Sequence, residues 1–482
     1  MRRSISGDAP VGQPSQTLDP AASRREAARS RVRSSDERVP VASNSWRNWA
    51  GNQRAAGIEV VHPAGAEEIA AQLRRAAAAG RRLRPIGSGH SFTAIGRPED
   101  VQLVLDRHAD LIDVDDSGLV TVQAGMPLHR LNAELADRGW SLTNLGDIDR
   151  QTVAGALSTG THGTGARFGG LATQVRGLEL VLADGTLLRC SAEENAEVFA
   201  AARIGLGALG ILSTVTLQAE PAFALRAEEG PARLPELLEG FGEFMTSTDH
   251  VEFYWFPHTD RCLTKRNTRV PLADGLAPLP RWRALWDDEV LANATFAAVV
   301  AAGRRVPALV PRLARLSTGA LGARTATDHA HRIFVSRRRV RFQEMEYAVP
   351  REAAVDVLRE VRRVVDAQGW RIPFPVEVRV AAADDIPLST ASGRDSAYLA
   401  VHVPARSEPG EYFAAVEAIA GSVGGRPHWG KLHGLDAATL RERYPRFDEF
   451  TALRDRLDPT GVLTNGYLDR VLGPVGVRPG GA

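Results

Sequence analysis

Two glycine-rich stretches limit the fold of this chain more than any other feature. RPIGSGHSF, residues 84–92, sets His90 directly behind a glycine pair at the end of an apolar run. STGTHGTG, residues 158–165, repeats the device with three glycines, three threonines and a second histidine, His162. Glycine keeps the main chain bare, so backbone can approach a ligand closely and its amides can form a nest for an anion. Neither loop is a familiar phosphate motif. GSGH has no Gly-Lys-Ser/Thr and no third glycine of a dinucleotide fingerprint. Read singly, the first is equally a tight turn and the second a surface loop. Two such loops in one region point to one extended ligand.

The segments around them alternate. GIEVVHPAG reads as a strand and turn, AEEIAAQLRRAAAAG as a helix closed by Gly80, and RRLRPIG as a strand entering the first loop. Short strands follow with an Asp-Ser-Gly turn, then a helix behind Pro127, a hairpin around Asp184-Gly185, and a strand ending near residue 222. Residues 225–340 read as helices and loops with poor local signals. EMEYAVP, FPVEVRVAAADD and SAYLAVHVP then read as strands, with helices at REAAVDVLREVRRVVDAQG and GEYFAAVEAIAGSVG. A chain of 482 residues is too long for one ordinary domain. The expectation is an α+β protein with a disordered tail over 1–45, one domain over 46–222, a second over 223–425, and a closing segment over 426–482.

Composition narrows the partners. A formal net charge of +1 gives no basic excess for nucleic acid or a membrane surface, and no apolar run reaches membrane-spanning length. Two cysteines, Cys190 and Cys262, exclude a disulfide framework and fit a reducing cytoplasm. The opening MRRSISGDAP has an arginine pair but no apolar run behind it, which counts against an export signal.

Two clusters carry candidate chemistry. In PVEVRV, Glu377 and Arg379 share one face of a predicted strand while the valines turn to the other; such a pair is either a site or an ordinary ion pair. His402, in AYLAVHV, sits on the strand expected beside it. RPHWGKLH gathers His428, Trp429, Lys431 and His433, but with no HExxH pattern and no cysteine partner no metal is expected.

Taken in order, GSGHSF, TVAG with STGTHGTG, MEYAVP, FPVEVRVAAADDIPLS, HWGK and LDPTGVLTNGYL resemble the aldonolactone oxidoreductases, a branch of the vanillyl-alcohol-oxidase type flavoprotein superfamily that includes gulonolactone and arabinonolactone oxidases and alditol oxidase. The resemblance covers roughly residues 46–222 and 340–472. It implies an FAD-binding domain of the PCMH type, an α/β substrate cap, and a final segment returning to the flavin. It implies FAD against Ile86, Gly87, Ser88, Gly89, His90 and Ser91, with His90 at the position joined covalently to the flavin 8α-methyl. Further cofactor contacts carried over are Gly146, Asp147, Thr152 and Gly155, then Ser158, Gly160, Thr161, His162, Gly163, Thr164 and Gly165, with Ile211 and His428. Thr152 also stands where alditol oxidase has a serine near the substrate.

For chemistry, the resemblance implies oxidation of a secondary alcohol of a sugar 1,4-lactone with hydride passing to flavin N5. Arg379 and Lys431 would meet the forming alkoxide, Glu377 would orient it, and His402 would share the pocket. Gly146 would leave dioxygen a path to the reduced cofactor, giving peroxide. Pro404 stands where alditol oxidase has a threonine, removing a hydroxyl and a backbone donor, which favours lactones over open-chain polyols. An alditol oxidase, a lactone dehydrogenase with another acceptor, and a noncatalytic flavin binder are the alternatives.

Overall fold

Valine-rich and alternating segments form the strands that frame the molecule in the computed structural model, which describes residues 45–280, 295–319, 321–336 and 340–476. The expected tail, 1–45, lies outside these residues except for Ser45.

A small parallel sheet, ordered β1-β3-β2, is made by β1 (Glu59–Val61), β2 (Leu83–Ile86) and β3 (Val101–Val104). Helix α1 (Ala66–Ala78) joins β1 to β2 and buries Ile69, Ala70, Leu73 and Ala76, a helical spacing that turns one face to the core. Next come β4 (Leu111–Val114), β5 (Leu119–Gln123), β6 (Val175–Val181), β7 (Leu187–Ser191) and β8 (Ile211–Gln218), which build an antiparallel sheet ordered β7-β6-β8-β5-β4. Between β5 and β6 lie α2 (Leu128–Asp137) and the short α3 (Val153–Ser158).

The remainder is organised on eight antiparallel strands. They are β9 (Phe223–Arg233), β10 (His250–Trp255), β11 (Arg261–Pro271), β12 (Arg324–His329), β13 (Phe342–Pro350), β14 (Val376–Ala381), β15 (Ser396–Pro404) and β16 (Arg426–Pro427), ordered β12-β9-β11-β10-β14-β15-β13-β16. Helices α4 (Val310–Gly319), α5 (Ala354–Gln368) and α6 (Gly410–Ser422) accompany them. On α5, Val357, Leu358, Val361 and Val365 are buried, and Gly369 ends the helix at a φ of 63°. Burying each such side chain contributes roughly 1.5–3 kcal/mol.

The reading of 225–340 as helices and loops is corrected here. Three long strands, β9 to β11, run through its first part, with short helices at Leu234–Glu239 and Phe241–Thr246 between β9 and β10, and β12 follows the later helices. The segment RAEEGPAR in β9 has weak strand propensity, but β9 is paired along its whole length to β11, and this tertiary pairing overrides the local preference. Pro231 lies beyond residues 224–229, the part of β9 that pairs with β12, so only one of its sides is covered by a strand.

What positions the site is how the pieces are tied. The second glycine loop is stitched to the large sheet: Gly165 N–H donates to Val380 C=O at 2.9 Å, Val380 N–H to Thr164 Oγ1 at 3.3 Å, and Thr164 Oγ1 to Val251 C=O. The first loop is tied to the C-terminal segment, with Phe92 N–H donating to Gly430 C=O at 2.7 Å and Thr93 Oγ1 to Trp429 C=O at 3.0 Å. Among the described residues no helix is long and apolar enough to cross a membrane, and Cys190 and Cys262 are free and buried.

Candidate active site

Period two on three neighbouring strands brings charged side chains to one face. On β10, Val251, Phe253 and Trp255 enter the apolar core while Glu252 and Tyr254 turn away; on β14, Val376, Val378 and Val380 do the same, leaving Glu377 and Arg379. The register sets Tyr254 opposite Glu377, and the Tyr254 hydroxyl lies 3.1 Å from Glu377 and 3.2 Å from Glu252. Arg379 binds Glu377, contacts Glu252 through Nε at 2.8 Å, and lies 3.5 Å from Asp147 on the segment before α3. Burial works against this guanidinium, yet Glu377, Glu252 and Asp147 together raise its pKa well above the ordinary value. The expected face-sharing pair is therefore one corner of a network of three carboxylates and a phenol around the buried Arg379, not a surface ion pair.

A second cluster comes from β13 and the HWGK segment. His428 N–H donates to Glu346 C=O and Leu432 N–H to Glu344 C=O, so this segment runs beside β13 and sets Lys431 against Glu344. Glu344 is also 3.5 Å from His402 Nε2. Although burial opposes it, Lys431 and His402 hold the Glu344 carboxyl down at about 2, and Glu344 and Glu346 raise the Lys431 ammonium above its usual range. His402 also bonds Pro375 C=O through Nδ1 at 3.3 Å and packs between Phe342 and Phe374.

Glu346, His162 and His428 form a buried trio with ligand atoms within 4.8 Å of one another. Gly430 N–H donates to His428 Nδ1, so the neutral imidazole carries its hydrogen on Nε2 and has no lone pair left to ligate a metal. His162 Nδ1 donates to Gly163 C=O at 2.9 Å, and its Nε2 lies 3.2 Å from Glu346. Burial pushes the His428 imidazole down to about 3.

One cavity is lined by Gly146, Asp147, Gln151, Thr161 and His162 from the half before residue 222, and by Phe342, Glu344, Glu346, Glu377, Arg379, His428 and Lys431 from the large sheet and the HWGK segment. His402 is not among its lining residues; it stands behind Lys431 and Glu344. Thr152 caps α3 and packs beside Gly87. Ile211 is paired with Val181 and its side chain lies in the core, away from this cavity. Ser158 and Gly160 close α3, where Ser158 C=O accepts from Leu206 N–H.

Sequence reasoning did not reach Glu252, Tyr254, Glu344 or Glu346. The signal for the last two was present: QEMEYAVP places two carboxylates two residues apart on a predicted strand, the same logic that singled out Glu377 and Arg379.

The first glycine loop fits a diphosphate-bearing cofactor. Among the described residues, the backbone amides of Ser88, Gly89, His90 and Ser91 donate to no group of the chain, while Gly87 and Ser88 are exposed. A Cβ on Gly87 would strike Thr152 Oγ1, and one on Gly163 would strike Asn144 Oδ1 and Leu145 C=O, so glycine is needed for the first loop to lie against the start of α3 and for the second to lie against 144–145. His90 stacks on Trp49 with ring centroids 5.8 Å apart, and burial, then Lys431 and Arg150, push its pKa down to about 4. It is neutral at pH 7, with a lone pair available.

A family model described as D-arabinono-1,4-lactone oxidase matches residues 215–471, and one described as FAD binding domain matches residues 58–191. The chain is 44% identical over 430 residues to an L-gulono-1,4-lactone dehydrogenase of Mycobacterium tuberculosis, covering 89% of this chain and 99% of that protein. It is 34% identical to L-gulonolactone oxidase of Bos taurus over 88% of this chain and 98% of the relative, and 32% identical to alditol oxidase of a Streptomyces species over 89% and 99%. In fold it is similar to cholesterol oxidase from Brevibacterium sterolicum, with a TM-score of 0.74, 18% identity, and coverage of 89% of this chain and 97% of that one. The chain therefore belongs to the D-arabinono-1,4-lactone oxidase family, the aldonolactone branch of the vanillyl-alcohol-oxidase type flavoproteins, which are FAD-dependent oxidoreductases acting on CH–OH groups.

Proposed function

We propose that this chain oxidises the secondary alcohol of a neutral sugar 1,4-lactone of the L-gulono or D-arabinono type, with FAD as hydride acceptor and dioxygen as terminal acceptor. The observation that carries the lactone reading is the charge of the cavity. Among its lining residues Asp147, Glu344, Glu346 and Glu377 outnumber Arg379 and Lys431, the carboxyl groups of Glu344 and Glu346 being held below their ordinary range. An open-chain aldonate would bring a further negative charge into this setting, whereas its lactone presents only hydroxyls and a carbonyl.

Within the site, Arg379 and Lys431 supply fixed positive charge where negative charge develops on the substrate oxygen. Glu377 shares Arg379 with Glu252 and Asp147, which locks the guanidinium plane; a donor already in place needs no rearrangement as the reaction proceeds. His402 acts through Glu344 to hold Lys431. FAD, when bound, takes up the hydride released from the carbinol carbon. The residues suited to hold it are Gly87 to Ser91, the loop from Ser158 to Gly165, and His90 as the covalent attachment. The half up to residue 222 then serves as the cofactor-binding domain, and the large sheet as the cap. Free buried thiols fit a cytoplasmic setting.

For the acceptor, support comes from Gly146. A Cβ there would lie 3.0 Å from Thr161 Cγ2 and 3.3 Å from His162 C=O, inside the cavity wall, so a methyl would remove space from the site itself. The test is turnover with a lactone and with the matching aldonate salt, following oxygen uptake and peroxide. Lactone turnover without aldonate turnover, and oxygen uptake that slows in Gly146→Ala, supports the reading. Aldonate turnover removes the charge argument, and absence of oxygen uptake assigns a different acceptor.

A further inference from the structure

A second cavity lies apart from the catalytic one. It encloses about 750 Å³ at the outer end of the large sheet, between the turn joining β10 to β11, the last turns of α4 and the outer face of α5. That size is ordinary for a small-molecule site. Four arginines line it, Arg233, Arg261, Arg315 and Arg362, against two carboxylates, Asp260 and Asp366. In a chain whose formal charge is +1, this is a local concentration of positive charge.

The arginines are not all spoken for. Arg362 is 2.6 Å from Asp260 and 3.9 Å from Asp366, and Arg233 is 3.9 Å from Asp260. Among the described residues, Arg261 and Arg315 have no carboxylate partner, and the Arg315 side chain bonds only Pro311 C=O, through Nε. His258 adds a neutral donor. Ile372 N–H donates to His258 Nε2 at 3.1 Å, so the imidazole hydrogen is on Nδ1. His258 is also one of three non-glycine residues at positive φ among those described, at 70°, a costly conformation that the turn maintains where the cavity needs it.

We propose that this cavity is a second ligand site and that it takes a small molecule bearing a phosphate or diphosphate group. Planar guanidinium forks match phosphoryl oxygens two at a time, and two arginines without a carboxylate partner among the described residues, set at one cavity, suit a di-anion better than a single carboxylate. The site also abuts the catalytic network along one strand: Trp255 lines it, and the adjacent Tyr254 bonds Glu252 and Glu377. The inference does not depend on the lactone reading.

Isothermal titration of the full-length, FAD-loaded protein with inorganic pyrophosphate, ATP and sulfate at constant ionic strength tests it. The expected result is saturable binding of one equivalent of pyrophosphate or ATP, tighter than sulfate, and weakened about tenfold or more in the Arg261→Glu, Arg315→Glu double variant. That variant should retain its flavin, its melting temperature and its rate of flavin reduction. Binding of pyrophosphate alone would identify an inorganic source, and binding of ATP an organic one. No saturable binding of either, binding no tighter than sulfate, or equal affinity in the double variant would overturn the proposal.

Discussion

Arg379 carries the sharpest expectation at the scale of single residues. Arg379→Ala strands Glu377, Glu252 and Asp147 around a missing cation, and breaking such a buried set typically costs about 3–5 kcal/mol. It should also slow flavin reduction about a hundredfold or more while leaving flavin content largely intact. Arg379→Lys should recover part of the stability and little of the rate, because a single ammonium cannot serve three carboxylates at once. Chemical denaturation and stopped-flow reduction on the two variants measure this; near wild-type reduction in Arg379→Ala would leave the pair as structure only. Glu344→Gln makes a different demand. Because Glu344 is a principal group raising the Lys431 pKa against burial, its neutralisation should lower that pKa and move the alkaline limb of the reduction rate to lower pH. A pH profile with an unmoved limb would detach Lys431 from the reaction. His90→Ala should release its FAD into the supernatant on acid precipitation where the wild type stays yellow. Glu377, Arg379, Lys431 and the glycine loops were legible in the sequence because each sits in a short pattern of its own. Glu252 was not, since only the pairing of β10 with β14 brings it to Arg379.

Strands and loops carry the next level. The second glycine loop is tied to the sheet and packs on Asn144 and Leu145 with no spare room, so Gly163→Ala should drive backbone apart there and reduce FAD content together with thermal stability. Gly57→Ala, at a glycine of positive φ whose Cβ would meet nothing within 4 Å, isolates backbone strain from crowding and should leave flavin content unchanged. Flavin-to-protein absorbance ratios and melting temperatures of the two variants make the comparison. Valine alternation in β14 and apolar spacing in α5 make those elements readable from sequence alone. β9 is not readable in that way. Its alanines, glutamates, glycine and proline carry no strand signal, and its extended form comes from neighbours on both sides.

At the scale of the whole molecule, buried neutral histidines set the response to acid. Burial pushes His250 down to about 4 and His428 and His433 to about 3, whereas each returns to about 6.5 on unfolding. The unfolded chain thus binds more protons below about pH 6.5, and stability falls as pH drops from there toward 4, by at most about 1.4 kcal/mol per pH unit for each histidine. The depressed carboxyl of Glu344 acts later: its contribution is present above about pH 4.5 and lost as pH falls toward 2. Melting temperatures should therefore decline already between pH 6.5 and 4.5; a flat profile over that range would contradict the neutral, buried state of these rings. The half up to residue 222 and the large sheet both line one cavity, and the central claim made for it is chemical. Anaerobic titration of the oxidised holoenzyme with L-gulono-1,4-lactone, D-arabinono-1,4-lactone, the corresponding aldonates and an alditol tests it most directly. The account predicts that at least one lactone bleaches the flavin absorbance stoichiometrically and that the aldonates do not; bleaching by the alditol alone, or by none of these compounds, would contradict it.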